Sequence, residues 1–145
     1  MSARARVAGL AAVSVLLMAS LAWAAQGRTL KVTVNYTGNG EVSATNAVLV
    51  SVWTSPPVGD TTAPLALEVV QENGATVSFS NLDSSPVYVA ALYVRGGWDQ
   101  LSAVPSGSPA GSHSTDGFGT PAAIELQDGQ TVEIEFSFDD AFRMP

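Results

Sequence analysis

Two segments of the chain alternate apolar and polar residues at every second position. Residues 29–36 read TLKVTVNY, and residues 131–138 read TVEIEFSF. Side chains of an extended strand point alternately to opposite faces, so each segment predicts a strand with one buried and one solvent-facing side. This period excludes amphipathic helices there and requires a fold in which sheets bury one face.

Five further apolar segments are separated by Gly, Pro, Asn and Asp: 46–53, 65–70, 76–80, 87–94 and 122–126. Such short strands between turn signals predict an all-β fold of about seven strands, an antiparallel sandwich or barrel. The dipeptides Asn73-Gly74 and Asp128-Gly129 favour tight hairpin turns between their flanking segments.

Segments 46–53 and 87–94 are apolar on both faces, which predicts central positions in a sheet. The second face of each is then either covered by loops, the interpretation we favour, or part of a contact surface. The longest predicted connection is the Gly-, Ser- and Pro-rich segment 96–121, and a loop of this length is either functional or irregular.

Residues 1–24 have the pattern of a secretory signal peptide. Arg4 and Arg6 precede an uncharged, mostly apolar run from Val7 to Leu21, and Ala22-Trp23-Ala24 is a small-x-small processing site. We therefore expect cleavage after Ala24, a secreted or periplasmic location and a single domain over residues 25–145. The alternative is an uncleaved N-terminal anchor, although the apolar run is shorter than the roughly 20 residues that span a bilayer.

Composition after residue 24 excludes several classes of function. Thirteen acidic residues stand against four basic ones, a net charge of −9. With so few cations, neither nucleic-acid binding nor attachment to an anionic membrane surface is expected. The chain has no Cys, which excludes disulfides, thiol catalysis and thiolate metal sites.

The run VSFSNLDSSPVYVAALYV at 77–94, with IELQDGQTVEIEFSF at 124–138, resembles the prealbumin-like domains of exported proteins, related to the carboxypeptidase regulatory-like group. The resemblance covers roughly residues 29–140 and consists of aromatic core positions and turn residues. It implies a seven-stranded Greek-key β-sandwich, usually non-catalytic, in cell-envelope or secreted proteins.

The chain departs from this pattern in two places. Ser85-Pro86 stands where such domains usually carry Gly, and the loop after residue 94 holds one acid, Asp99, which weakens the case for an inherited calcium site. Transthyretin-like hydroxyisourate hydrolases need several histidines and a C-terminal Y-R-G-S. This chain has one His and ends DDAFRMP, so that activity is not carried over.

The sole histidine, His113, lies in GSHSTDGFGTP near Asp116. A hydrolase would need a Ser hydroxyl and a carboxylate to converge on its imidazole. Its neighbours Ser112 and Ser114 point away from it in an extended segment, and no G-x-S-x-G motif occurs. We interpret His113 as part of a polar loop, and the alternative is a secreted hydrolase that uses the 96–121 loop.

Metal and glycosidase chemistry lack clear residue sets. One His and no Cys cannot make an ordinary zinc site. Calcium could use Asp99, Asp116 or the pair Asp139-Asp140, as in a calcium-stabilised adhesion-type module, but no EF-hand loop is present. Glu133 and Glu135 share one strand face, where we expect them to face solvent. We predict no cofactor and no metal.

Three aromatic residues are the candidate ligand-binding positions. Trp53 ends a predicted strand, Trp98 follows two glycines, and Phe118 lies between two glycines. Clustered at one end of the sandwich, they could stack on sugars or anchor a protein, whereas the alternative places both Trp residues at the ends of the core. We predict an exported, non-catalytic binding or structural module of the cell envelope or extracellular space, whose partner is another such protein or a carbohydrate.

Overall fold

The structure is a computed structural model that describes residues 27–57, 63–97, 99, 103–116 and 119–145. Its strands are β1 (Arg28–Tyr36), β2 (Ala47–Trp53), β3 (Ala66–Val70), β4 (Thr76–Leu82), β5 (Tyr88–Val94), β6 (Ala110–Ser112) and β7 (Thr131–Phe138). Every regular element in these ranges is a strand, which confirms the all-β class. Within the same ranges, no helix has the length and apolarity needed to cross a membrane.

The strands form two sheets around one core. Sheet A has the order β4-β1-β7, and sheet B has the order β3-β2-β5-β6. The buried cluster between them draws Val, Leu, Phe and Tyr side chains from both sheets. A two-layer arrangement follows because each sheet has an apolar face that must be removed from water.

Sheet A follows the alternation in the sequence. On β1, Leu30, Val32 and Val34 are at most 1% exposed, whereas the intervening Lys31 faces solvent. On β7, Phe136 and Phe138 are buried, while the glutamates predicted to point outward are exposed. The outer face of sheet A is therefore polar.

Sheet B is apolar on both faces, as its two central strands predict. In β2 the inward Val50 joins the core cluster, but the outward Leu49 is equally inaccessible at 2% exposure. Val94 of β5 is also buried outside that cluster. The edge strand β3 differs because Val69, and Leu65 just before it, remain about 40% exposed. The second face of sheet B is thus covered at its centre and open along β3.

One strand pair departs from the antiparallel prediction. β1 and β7 run parallel along their whole length, from Thr29 opposite Thr131 to Tyr36 opposite Phe138. All other pairs are antiparallel. Alternation predicts which side chains are buried, but it carries no information on the direction of a neighbouring strand.

The two predicted hairpins are wrong, although both dipeptides form turns. Gly74 and Gly129 have φ values of +80° and +72°, in the left-handed region that favours glycine. However, β3 and β4 belong to different sheets, so the turn at Asn73-Gly74 crosses between layers. At the second turn, Ile124 pairs with Val87, next to sheet B, whereas β7 lies in sheet A.

The first of these turns also completes the edge of β1. The Tyr36 amide donates to Asn73 Oδ1 at 2.8 Å, and Asn73 Nδ2 donates to the Tyr36 carbonyl at 2.8 Å. The Gly74 amide donates to the Val34 carbonyl at 3.1 Å. The Asn73 side chain thereby takes the place of a neighbouring strand where β4 does not reach.

Replacing Asn73 with Ala should lower the free energy of unfolding by about 1–2 kcal/mol, because two hydrogen bonds to the β1 backbone are lost. Urea unfolding followed by Trp fluorescence measures this change. Glu72→Ala, an exposed neighbour in the same turn, should change stability by less than about 0.5 kcal/mol. Equal effects of the two substitutions would contradict this role of Asn73.

The strand predicted at 122–126 is reduced to a single bridge between Ile124 and Val87. The seventh strand is instead β6, Ala110–Ser112, inside the segment predicted as a loop. Its three small residues carry no β-branched or aromatic side chain, so the sequence contains no strand signal there.

Candidate functional site

Polar side chains gather at the end of the sandwich where β1 and β7 terminate and β6 begins. Two aromatic rings form the floor. Tyr36 of β1 and Tyr93 of β5 stack across the two sheets with ring centroids 4.1 Å apart. Phe138 of β7 packs against Tyr36 at 5.1 Å. This stack fixes the positions of the polar groups that surround it.

Asp140 is held above the stack by two donors. The Tyr36 hydroxyl donates a short hydrogen bond to its Oδ1, and the Asn39 amide donates to its Oδ2 at 2.9 Å. The Tyr36 bond and the Asn39 amide lower the pKa of Asp140, so its carboxylate is ionised at neutral pH. A Cβ at Gly38 would collide with the Asp140 carboxylate and the Tyr36 hydroxyl, which explains glycine at that position.

Two arginines flank this carboxylate. The Arg95 guanidinium lies over the Tyr93 ring, 5.4 Å from its centroid, and donates to the Asn39 carbonyl at 2.5 Å. The Arg143 guanidinium donates to the Gly107 carbonyl at 2.9 Å and lies 3.7 Å from Asp140 Oδ2. Stacking and hydrogen bonding thus connect Arg95, the two tyrosines, Asp140 and Arg143 in one network.

The two guanidinium groups line a surface cleft of about 190 Å³. Its other walls are Tyr93 and the segment Pro105–Pro109. Backbone hydrogen bonds fix that segment against the C-terminal residues: Gly107 donates to the Met144 carbonyl at 2.8 Å, and Met144 donates to the Ser108 carbonyl at 2.9 Å. We call this feature the arginine cleft. Paired guanidinium groups are suited to binding an anion.

The concentration of positive charge is unusual for this chain. After residue 24 it has only four basic residues, and two of them line the arginine cleft. The other two, Arg28 and Lys31, belong to β1, with Arg28 paired to Asp128 at 3.2 Å. Arg95 and Arg143 belong to no sequence motif and were not predicted as site residues. The only signal for them is that basic residues are scarce in this chain.

The aromatic residues predicted to bind a ligand are not part of this cleft. Trp53 is half-buried at the far end of β2, where its Nε1 donates to Ser51 Oγ at 2.8 Å. Trp98 and Phe118 lie outside the described residues. Their clustering therefore stays a prediction.

His113 faces the core rather than a catalytic partner. It continues β6, donating its amide to the Val89 carbonyl at 3.0 Å, and its ring meets Phe136 edge-on at 6.2 Å. Nδ1 is buried and makes no hydrogen bond to any residue that the structure describes. The Ser112 and Ser114 hydroxyls donate elsewhere, to the Gly119 carbonyl and the Asp116 carboxylate. His113 follows the end of β6 outside any strand, as the polar sequence around it predicts, but its ring is half-buried against Phe136.

This packing predicts a pH dependence of stability. Desolvation lowers the pKa of His113, so the unfolded chain binds a proton more readily than the folded one. Stability should be greatest above the unfolded pKa of about 6.5 and decrease as the pH falls through that value toward the lower folded pKa. Thermal melts at pH 8 and pH 5 test this, and His113→Leu should reduce the decrease. An unchanged pH profile in His113→Leu would contradict it.

The acidic residues considered as calcium ligands are dispersed. Among the described residues, no group of three or more His, Asp or Glu side chains is arranged to hold a metal ion. Asp139 and Asp140, predicted as a simple polar end to the last strand, have separate structural roles. Asp139 accepts a hydrogen bond from the Ala141 amide at 2.8 Å, and Asp140 belongs to the network of the arginine cleft.

Comparison of the chain with protein-family models, with curated proteins and with solved structures found no significant match.

Proposed function

We propose that the chain is an exported, non-catalytic β-sandwich module that binds an acidic partner through the arginine cleft. The partner belongs to the cell envelope or the extracellular space and is a protein or a carbohydrate. In this proposal residues 1–24 form a cleaved signal helix, and residues 25–145 form a Greek-key domain of prealbumin-like type.

The observation that carries the proposal is the convergence of Arg95 and Arg143 on one cleft in a strongly acidic chain. On an acidic surface, general attraction to the surrounding carboxylates stabilises a basic side chain at almost any position. That attraction alone would not bring basic residues together in one cleft. Here, by contrast, two residues 48 positions apart in sequence line the same cleft, and each guanidinium is held by its own hydrogen bond to a backbone carbonyl. Such orientation costs side-chain entropy, which a bound anion would offset.

The non-catalytic part of the proposal is supported by the surroundings of His113. Its ring lies against Phe136, and the neighbouring serine hydroxyls bond to other groups. Nucleophilic catalysis requires a hydroxyl within hydrogen-bond reach of the base. The neighbouring serines do not supply such a hydroxyl to His113, which supports a non-catalytic role.

Retention on immobilised polyanions tests the binding function. The full chain is expressed with its N-terminal segment, collected from the exported fraction, and passed over polyglutamate and polygalacturonate resins at low salt. Because the protein is acidic, general electrostatics oppose retention, so retention reports a specific site. Intact mass should also show a chain that begins at Ala25.

The decisive comparison uses matched pairs of substitutions. Arg95→Gln with Arg143→Gln should abolish retention, whereas Arg28→Gln with Lys31→Gln removes the same charge from β1 and should preserve it. The retaining resin distinguishes an acidic protein from an acidic polysaccharide as partner. No retention of the wild-type protein, or equal loss in both pairs, would overturn the proposed function.

A further inference from the structure

The charge balance of the arginine cleft restricts the anion that it can bind. Arg95 and Arg143 contribute two positive charges, and Asp140, 3.7 Å from the Arg143 guanidinium, contributes one negative charge. The local sum is +1. Attraction to this small local charge grows in proportion to the charge of the ligand, whereas the cost of taking the ligand out of water grows with the square of that charge. A weakly positive cleft therefore favours a monoanion over a dianion.

Hydrogen-bond geometry favours an anion with two oxygens side by side. Guanidinium groups pair with carboxylates and with phosphates through two parallel N–H···O bonds, so charge decides between these two anions, and each guanidinium has five N–H donors. Among contacts between described residues, Arg95 directs Nη2 to Asn39 and also hydrogen-bonds the Tyr93 side chain. Arg143 directs Nη1 to Gly107 and Nη2 toward Asp140, which leaves some of the five donors of each guanidinium unused. Donors therefore remain on both side chains for an incoming group.

The size of the cleft limits the ligand to a small group. Its volume of about 190 Å³ is less than the roughly 300–1,000 Å³ of pockets that enclose whole drug-sized ligands. Pro105 and Pro109 line it, and they offer apolar surface to the carbon atoms next to the charged group.

We propose that the arginine cleft binds a monoanionic carboxylate, with Arg95 and Arg143 as its ligands and Asp140 as the residue that selects against dianions. This inference rests on the proposed function, since it names the chemical class that the same cleft accepts. Asp140 acts here as a positioning and selectivity residue through its charge next to Arg143.

Titrations of the full exported protein at pH 7.5 and low salt test the proposal. Arginine side-chain and Gly107 amide NMR signals are followed while acetate or methyl phosphate is added. Acetate should shift these signals to saturation, and it should bind about fivefold more tightly than methyl phosphate, which is dianionic at this pH. N-acetylglycine and glucuronate then distinguish a peptide-type from a sugar-type carboxylate.

Asp140→Asn provides the sharpest variant, because it keeps the shape of the side chain and raises the local charge to +2. The Asp140→Asn variant should bind methyl phosphate more tightly than acetate. Should that variant fail to fold, Arg95→Gln lowers the local charge to zero and should weaken acetate binding about tenfold or more. Tighter binding of methyl phosphate to the wild-type protein, or no shift with any anion, would overturn the inference.

Failure of this inference is distinguishable from failure of the proposed function. If the arginine pair abolishes polyanion retention but small carboxylates show no preference over methyl phosphate, the binding site stands and the ligand class is wrong. If carboxylates saturate the cleft but the substitutions leave retention unchanged, the ligand class stands and the proposed function fails.

Discussion

Tyr36→Phe is expected to lower the free energy of unfolding at pH 7 by about 1.5–3 kcal/mol, the usual contribution of a hydrogen bond to a charged group. The substitution removes the hydroxyl that donates to Asp140 but leaves the ring, which is 3% exposed and stacked on Tyr93. Urea unfolding measures the change. Tyr88→Phe, at the half-buried start of β5, should change stability by less than about 0.5 kcal/mol.

The same hydroxyl predicts a loss of stability in alkali. Burial, together with the hydrogen bond to Asp140 and the charge of that carboxylate, raises the pKa of Tyr36 to about 12. The unfolded phenol titrates near 10, so this contribution is complete below pH 10 and is lost between pH 10 and about 12. Tyr36→Phe should lack this loss, and an identical alkaline profile in both proteins would contradict it.

Low pH affects Asp140, the acceptor of the Tyr36 hydrogen bond. The Tyr36 hydroxyl, and after it the Asn39 amide, lower the pKa of Asp140. The stabilisation is therefore present above the unfolded carboxyl pKa of about 3.9, and it is lost as the pH falls toward the lower folded value. Tyr36→Phe should reduce this acid sensitivity as well.

The second large effect is expected at Gly111, where Ala should destabilise the protein by about 1–3 kcal/mol. Gly111 is the middle residue of β6, and a Cβ there would overlap the side chain of Phe138 on β7. Because Phe138 also packs on Tyr36, the displacement would extend to the floor of the arginine cleft.

Ser112→Ala is the matched control, since it changes the adjacent residue of β6 without adding volume. It removes one exposed hydrogen bond, to the Gly119 carbonyl, and should cost less than about 1 kcal/mol. Thermal and urea unfolding compare the two variants. A Gly111→Ala protein as stable as the wild type would show that β6 and β7 are less tightly packed than the structure indicates.

Alternation in the sequence predicted the strands but not their partners. Val32 and Phe136 lie on the buried faces that their positions predicted, because period two assigns each side chain to one face regardless of the neighbouring strand. The turns at Gly74 and Gly129 were predicted at the correct positions, because a positive φ is a local property that glycine readily adopts. Which sheet receives the next strand is decided by tertiary packing, so both hairpins were wrong.

The candidate site was not predictable from local patterns. Arg95 and Arg143 come together because Tyr36 stacks on Tyr93 and reaches Asp140, contacts that join three distant parts of the chain. Strand β6 was missed for a related reason. Position 111 requires glycine because Phe138 lies so close to it. The two residues are far apart in sequence, so this contact cannot be predicted, and glycine by itself is typical of a loop.

The pairing of β1 with β7 has a consequence for how the protein matures. Each residue from Thr29 to Tyr36 pairs with one 102 positions later, and the other neighbour of β1, β4, also follows downstream. During synthesis, nearly the entire polypeptide must therefore emerge before β1 can form its backbone hydrogen bonds to β7. Contacts of such long sequence separation form slowly, because the chain loses the entropy of closing a long loop before the contacts it forms stabilise it. Sheet A is therefore expected to be among the last parts of the protein to form, and the chain should stay incompletely folded until its C-terminal strand is available.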